Sequence, residues 1–110
     1  MHARIARFEG GDASRIDEQI AEMRSQITET RSGGLPDNAP EELRTLVDTV
    51  SRFVHLVDRK TGASVGISFC ETEEEMRRAD DAMNAMSPDQ GGGRRTSVEI
   101  YEVALDESFR

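Results

Sequence analysis

Tryptophan is absent from this 110-residue chain, cysteine occurs once, and aromatic residues make up only 5% of it. Each scarcity excludes something. A single cysteine, Cys70, cannot form an intrachain disulfide, so the fold must hold without a covalent staple; that suits a reducing compartment, and the cytoplasm is expected. Few large side chains, with 35% hydrophobic residues in all, allow only a thin core. A chain of this length buries roughly two-thirds of its unfolded surface, and a partner subunit would add to that. Long apolar runs are missing too. The N-terminal Met1-His2-Ala3-Arg4-Ile5-Ala6-Arg7-Phe8 has no signal-peptide pattern, and no segment reaches transmembrane length.

Positive charge is also in short supply. Fourteen Lys and Arg stand against 22 Asp and Glu, a net charge of −8. Nucleic-acid phosphates and acidic membrane surfaces both require a basic face. Neither partner is expected, and the acidity is read as a solubility feature.

What is present alternates between strand and helix patterns. Residues 2–8 place Ala3 and Ile5 on one side and Ala6 and Phe8 on the other, a first strand closed by Gly10-Gly11. Asp12 or Ser14 caps the helix that follows. Its stripe is Ile16, Ile20, Met23 and Ile27, and it ends by Gly33-Gly34. Residues 33–50 form an insert: a loop with two prolines, then a short helix from Glu41 to Asp48 with Leu43, Leu46 and Val47 inward. Val50 to Val57 and Ser64 to Glu71 are strands joined by the hairpin signal Asp58-Arg59-Lys60-Thr61-Gly62. Thr72 and Glu75 make a capping box for a second helix, whose stripe is Met76, Ala79, Met83 and Met86 and which Ser87-Pro88 stops. A Gly91-Gly92-Gly93 loop leads into a last strand, Thr96 to Leu105, and residues 106–110 are a loose tail.

The order is that of an α+β, ferredoxin-like βαββαβ domain spanning residues 1–110, with one antiparallel four-stranded sheet carrying two helices on one face. Val54, Leu56, Val65, Ile67, Val98 and Ile100 offer one apolar set. Phe53, Val57, Tyr101, Val103 and Leu105 offer the opposite one. Two helices roof one face only, so a second copy is expected on the other: a homodimer through the sheet face.

Pairing Asp58 with Ala63 sets the hairpin register. Leu56 then faces Val65, Val54 faces Ile67, His55 faces Gly66, Phe53 faces Ser68 and Ser51 faces Cys70. Small residues opposite an imidazole and a phenyl ring leave space. Phe53, His55, Gly66, Ser68 and Cys70, with Met83 from the second helix, are the candidate pocket for a small apolar ligand. His55 titrates near neutrality and is the candidate proton shuttle or ligand contact there. Tyr101, the sole tyrosine, is the second candidate, as a hydrogen-bond donor to a substrate oxygen. Against these stand plain packing roles for both residues and for the methionine stripe. Cys70 precedes a helix N-terminus, which favours the thiolate, but Glu71, Glu73, Glu74 and Glu75 oppose it, and a packed thiol is the better reading. The same glutamates complement the helix dipole, and no His or Cys completes a metal-ligand spacing. The glycine loop precedes a strand, which lacks phosphate-cradle geometry, and no nucleophile elbow occurs.

Several segments together resemble the antibiotic biosynthesis monooxygenase-like family: Ala3-Arg4-Ile5 with Glu9-Gly10, Leu56-Val57-Asp58-Arg59 through Thr61-Gly62, Gly66-Ile67, Glu71-Thr72-Glu73-Glu74, and Ser97-Val98-Glu99 with Tyr101-Glu102-Val103. The resemblance covers most of the chain except residues 33–50. It implies a dimeric α/β barrel, with a cavity in each subunit between sheet and helices. It also implies that an oxygenase of this kind works on an aromatic metabolite with no cofactor and no metal. The family's catalytic residues do not carry over. The tryptophan common at the end of the third strand is Cys70 here. The haem-degrading branch has an Asn on the first strand and a His on the second helix, and this chain has neither. The expected function is binding, or oxidation, of a small apolar or aromatic metabolite. The alternatives are a non-catalytic structural or regulatory homodimer and an interaction module using the acidic face or the insert.

Overall fold

The computed structural model describes residues 1–86 and 93–110. The Ser87-Pro88 helix stop and the Gly91-Gly92 part of the glycine loop lie outside the described residues.

Eight elements follow one another: β1 (His2–Glu9), a 3-10 turn (Ala13–Arg15), α1 (Ile16–Gly33), α2 (Glu41–Thr49), β2 (Val50–Val57), β3 (Ser64–Cys70), α3 (Glu73–Ala85) and β4 (Arg94–Glu102). The strands form one antiparallel sheet in the order β2-β3-β1-β4. This is an α+β, ferredoxin-like arrangement with one helix more than the pattern requires. The extra helix is α2, formed by the 33–50 insert. No helix among the described residues is long and apolar enough to cross a membrane.

Local chemistry accounts for the element ends. The Asp12 carboxylate accepts from the Ser14 backbone N–H at 2.9 Å and caps the 3-10 turn ahead of α1. The Thr72 hydroxyl accepts from the Glu75 N–H at 3.1 Å and donates to the Glu75 carboxylate at 3.1 Å, which satisfies one orphan donor at the start of α3. The hairpin closes with the Asp58 N–H donating to Ala63 O at 2.8 Å and the Gly62 N–H donating to Asp58 O at 2.9 Å. Gly62 sits at φ +80°, and a Cβ there would lie 2.1 Å from Gly11 O. The position therefore needs glycine both for its backbone conformation and for its close approach to the β1–α1 connection.

The hairpin pairs as expected from Val57 to Phe53. A bulge at Ser51 then shifts the register, so Val50 rather than Ser51 faces Cys70. The last strand departs further. Val98 pairs with Ala6 and Ile100 with Arg4, on the helix side of the sheet, while Tyr101 pairs with Ala3 on the opposite side. Val98 and Ile100 thus join Phe53 and Val57, and Tyr101 joins Val54, Leu56, Val65 and Ile67, the reverse of the expected grouping. Alternation along β4 dictates only that its neighbours face opposite ways. Which of them faces the helices is decided by its pairing with β1, 90 residues away in sequence. The strand stops at Glu102; the Val103 N–H still donates to Met1 O at 2.9 Å, while Leu105 is 79% exposed.

The buried centre lies at one end of the helix side. Cys70, Met76 and Ala79 are its core, with Leu46 and Val50 packed against them and Met83 beside them. Leu46 of α2 points inward as expected, whereas Val47 is 48% exposed and points away. Helix α1 is less well covered. Of its stripe only Ile16 is buried, Ile20 and Met23 are half-buried, and Ile27 is exposed. The far side of the sheet is only partly covered among the described residues. Ile5, Val54, Leu56, Val65, Ile67 and Phe69 share it, Leu56 with 49% of its surface exposed.

Candidate functional site

On the helix side the register lays side chains in rows across the sheet. One row reads Ile100, Arg4, Ser68, Phe53; the next reads Val98, Ala6, Gly66, His55. The central strands contribute Ala6, Gly66 and Ser68, the edge strands larger groups. These small residues are themselves covered: Ala6 and Ser68 are buried, and Gly66 lies beneath the Phe53 ring.

Phe53 and His55 form one wall. Their rings stack with centroids 6.2 Å apart and an interplanar angle of 22°. The Phe53 ring leans over Gly66, where an added Cβ would meet it at 3.4 Å. Phe53 is nevertheless 42% exposed. A large aromatic left this open on the side that carries the helices is an apolar surface without a partner. His55 is half-buried, and burial pushes its imidazole below the ordinary value. Burial thus favours the neutral form, in which one nitrogen donates and the other accepts.

The other candidates divide. Ser68 and Cys70 are closed over. Cys70 has no exposed surface, and its thiol is pushed up first by burial and then by Glu75. A thiol so placed is inert packing rather than a nucleophile. Met83 lies over Ser68, whose hydroxyl donates weakly to the Met83 sulfur at 3.9 Å. Tyr101 does not join the group at all. It lies across the sheet from His55, and its hydroxyl donates to the Glu99 carboxylate, which also accepts from Arg7 Nε at 3.5 Å. That bond holds the Tyr101 phenol above its usual range, and it holds Glu99 below its own. One ligand cannot touch His55 and Tyr101 from the same cleft, because the sheet stands between them. Tyr101 as a partner of His55 is thereby corrected. Met86, expected on the inward stripe of α3, is 42% exposed.

The sequence reading missed Arg4. Its guanidinium is 4% exposed on the helix side. Nε donates to Asp80 Oδ1 at 2.8 Å and Nη2 to Asn84 Oδ1 at 3.1 Å. Arg95 Nη1 donates to the same Asn84 oxygen at 2.9 Å. A signal existed. Asp80 and Asn84 are four apart on the face of α3 that carries Met76, Ala79 and Met83, and Arg4 shares its parity with the inward Ala6. Two acceptors in an apolar helix stripe require a donor from the surface beneath.

A separate open hollow of about 320 Å³ lies at the hairpin end of the strands, lined among others by Arg7, Leu56, Asp58, Val65 and Thr96. Its lining holds the hydroxyls of Ser64 and Thr96 but no imidazole to activate them, so the candidate site stays with the stacked Phe53 and His55. Among the described residues no group of three or more His, Cys, Asp or Glu side chains is placed to hold a metal ion. The inward face of α3 presents no imidazole to a haem iron, and β1 has no asparagine. The residues present therefore do not fit the haem-degrading set.

No protein-family model matches the chain, and no curated protein matches it. Solved structures do. A variant of MhuD with two manganese protoporphyrin IX bound per active site is similar over 98% of this chain and 99% of that one, at 16% identity and a TM-score of 0.54. Rv0793 from Mycobacterium tuberculosis is similar over 97% of both chains, at 17% identity and a TM-score of 0.47. At such identity the likeness to the MhuD variant is one of fold. In architecture the chain shares the fold of that MhuD variant, an α+β arrangement of ferredoxin-like type.

Proposed function

We propose that this protein is a homodimeric binder of a small apolar or aromatic metabolite, held without a metal on the helix side of the sheet against Phe53 and His55. The observation that carries this reading is the stacked Phe53–His55 pair. An exposed ring and a half-buried imidazole, whose neutral form burial favours, stand beside the covered small residues Ala6, Gly66 and Ser68. A flat apolar molecule gains area on the ring and a hydrogen bond from the imidazole. Sites of this kind place few polar groups among apolar ones, and His55 is such a group.

Pairing of two copies is supported by the far face. Ile5, Val54, Leu56, Val65, Ile67 and Phe69 form a continuous apolar field, rimmed by Arg7, Arg52, Glu99 and Tyr101. The Arg52 guanidinium lies 5.8 Å from the Phe69 ring centroid. A field of this kind against water is unfavourable, and a symmetric twin covers it with the same surface. Together the two sheets would form the barrel, one ligand site per subunit outside it. The unpaired thiol of Cys70 fits a cytoplasmic setting.

The test is a thermal-shift screen with aromatic compounds, followed by direct titration of any hit. Binding that weakens in His55→Ala and Phe53→Ala, with the dimer intact, supports the reading. Unchanged binding in both variants refutes the site. Ile67→Glu, at the centre of the far face, is expected to give monomers in sedimentation; a dimer that survives it refutes the sheet-face pairing.

A second reading is a non-catalytic structural or regulatory homodimer. Its support is the closed end of the helix side, where Cys70, Met76 and Ala79 leave no room. It requires that no aromatic compound raises the melting temperature.

A further inference from the structure

Arg4, Ser68 and Met83 form an arrangement that packing alone leaves unexplained. Two of the Arg4 nitrogens reach oxygen acceptors, on Asp80 and Asn84. The third, Nη1, donates to the Met83 sulfur at 3.0 Å. The Ser68 hydroxyl, paired with Arg4 across the sheet, aims at the same sulfur from 3.9 Å. A thioether is a weak acceptor, whereas a guanidinium N–H makes its strongest bonds to an anionic oxygen. Donors from two strands thus converge on an atom poorly suited to receive them. That atom is carried by the side chain best able to move, since methionine has three rotatable bonds and no branch.

The charge around this point is positive. Arg4 is balanced by Asp80. Arg95, bonded to the same Asn84 oxygen as Arg4, adds a second cation. In a chain of net charge −8, such a place is not the default. Arg4 and Ser68 also stand in one row with Phe53, closed over by Met83, so a molecule against the ring reaches the donors once the Met83 side chain swings aside.

We propose that the Met83 sulfur is a placeholder. The ligand carries a carboxylate or similar anionic oxygen that displaces it and accepts from Arg4 Nη1 and Ser68 Oγ. This rests on the reading that Phe53 and His55 hold an aromatic ligand, and it adds the chemical class: an aromatic acid in preference to a neutral aromatic.

The test titrates the full chain with naphthoate and with naphthalenemethanol, followed by the probes' own fluorescence, which no tryptophan obscures. Naphthoate is expected to bind about tenfold more tightly, as one charge-assisted hydrogen bond implies. Arg4→Lys and Ser68→Ala are expected to reduce that preference, each weakening naphthoate more than naphthalenemethanol. Met83→Ala, which removes the competing sulfur, is expected to tighten naphthoate alone. Should Arg4→Lys fail to fold, Ser68→Ala and Met83→Ala decide. Equal binding of the two probes overturns the anion site and leaves the aromatic site standing. A preference for naphthoate that none of the folded variants alters overturns it as well. If neither probe binds, the aromatic site itself fails and the anion site with it.

Discussion

Removal of the Asp80 carboxylate is expected to destabilise this protein more than removal of the arginine it pairs with. Arg4 is 4% exposed and Asp80 25% exposed, at 2.8 Å. Deleting one partner of a fully buried pair costs about 3–5 kcal/mol, because the other charge stays behind without compensation. In Asp80→Ala the charge left behind is the deeper one. Asn84 still accepts from Arg4, and water can enter through the quarter of Asp80 that faces solvent, so the expected loss is about 2–3 kcal/mol. In Arg4→Met the group left behind is Asp80, which turns outward, while the methionine packs beside Met83. That loss is expected to be about 1 kcal/mol or less. The double variant should recover part of the Asp80→Ala loss, with a coupling of about 1–2 kcal/mol. The assay is urea unfolding at one fixed protein concentration, so that the proposed pairing of two copies weighs equally on every variant. An Asp80→Ala loss below about 0.5 kcal/mol would place the pair among surface ion pairs, and equal losses in the two single variants would refute the argued asymmetry.

Three further outcomes follow from the same geometry. Gly62→Ala should lower stability by about 1–3 kcal/mol in urea unfolding, since it combines a left-handed backbone with a Cβ aimed at Gly11 O; a neutral substitution would mean the hairpin shifts freely. Cys70 should resist a thiol reagent at pH 8 in the folded protein and react on unfolding, because burial and Glu75 both oppose the thiolate; fast labelling of the native state would contradict the closed core. His55 has a lowered folded-state pKa, so the unfolded chain binds its proton more readily. Its stabilising contribution is complete above the ordinary histidine value of about 6.5 and is lost as pH falls through the folded value. Stability should therefore fall with acidification in that window, and His55→Gln should flatten the slope, as measured by urea midpoints across pH.

The parts of this fold that the amino-acid order determines are those closed by near neighbours. The Asp58–Gly62 hairpin imposes the register of β2 on β3 as far as Phe53, because a tight turn leaves few ways to pair its flanks. Thr72 with Glu75 starts α3, and the periodic stripes give helices in the expected places. That register also sets Phe53 opposite Ser68 and His55 opposite Gly66, since all four lie within one hairpin.

What only the tertiary structure decided involves distant strands and helices. The facing of β4 depends on β1, with a further shift in pairing between Arg7 and Phe8, and this sent Tyr101 to the side opposite His55. Pairing of Arg4 with Asp80 spans 76 positions, and alternation along β1 alone gives no reason to bury a guanidinium. Closure over Ser68 and Cys70 likewise waits on where α3 sets Met76 and Met83. Local backbone preferences and turn geometry act within a few residues, so they can be read in order along a chain. Contacts between remote elements are chosen by the packing of all of them at once, and no stretch of sequence holds that choice.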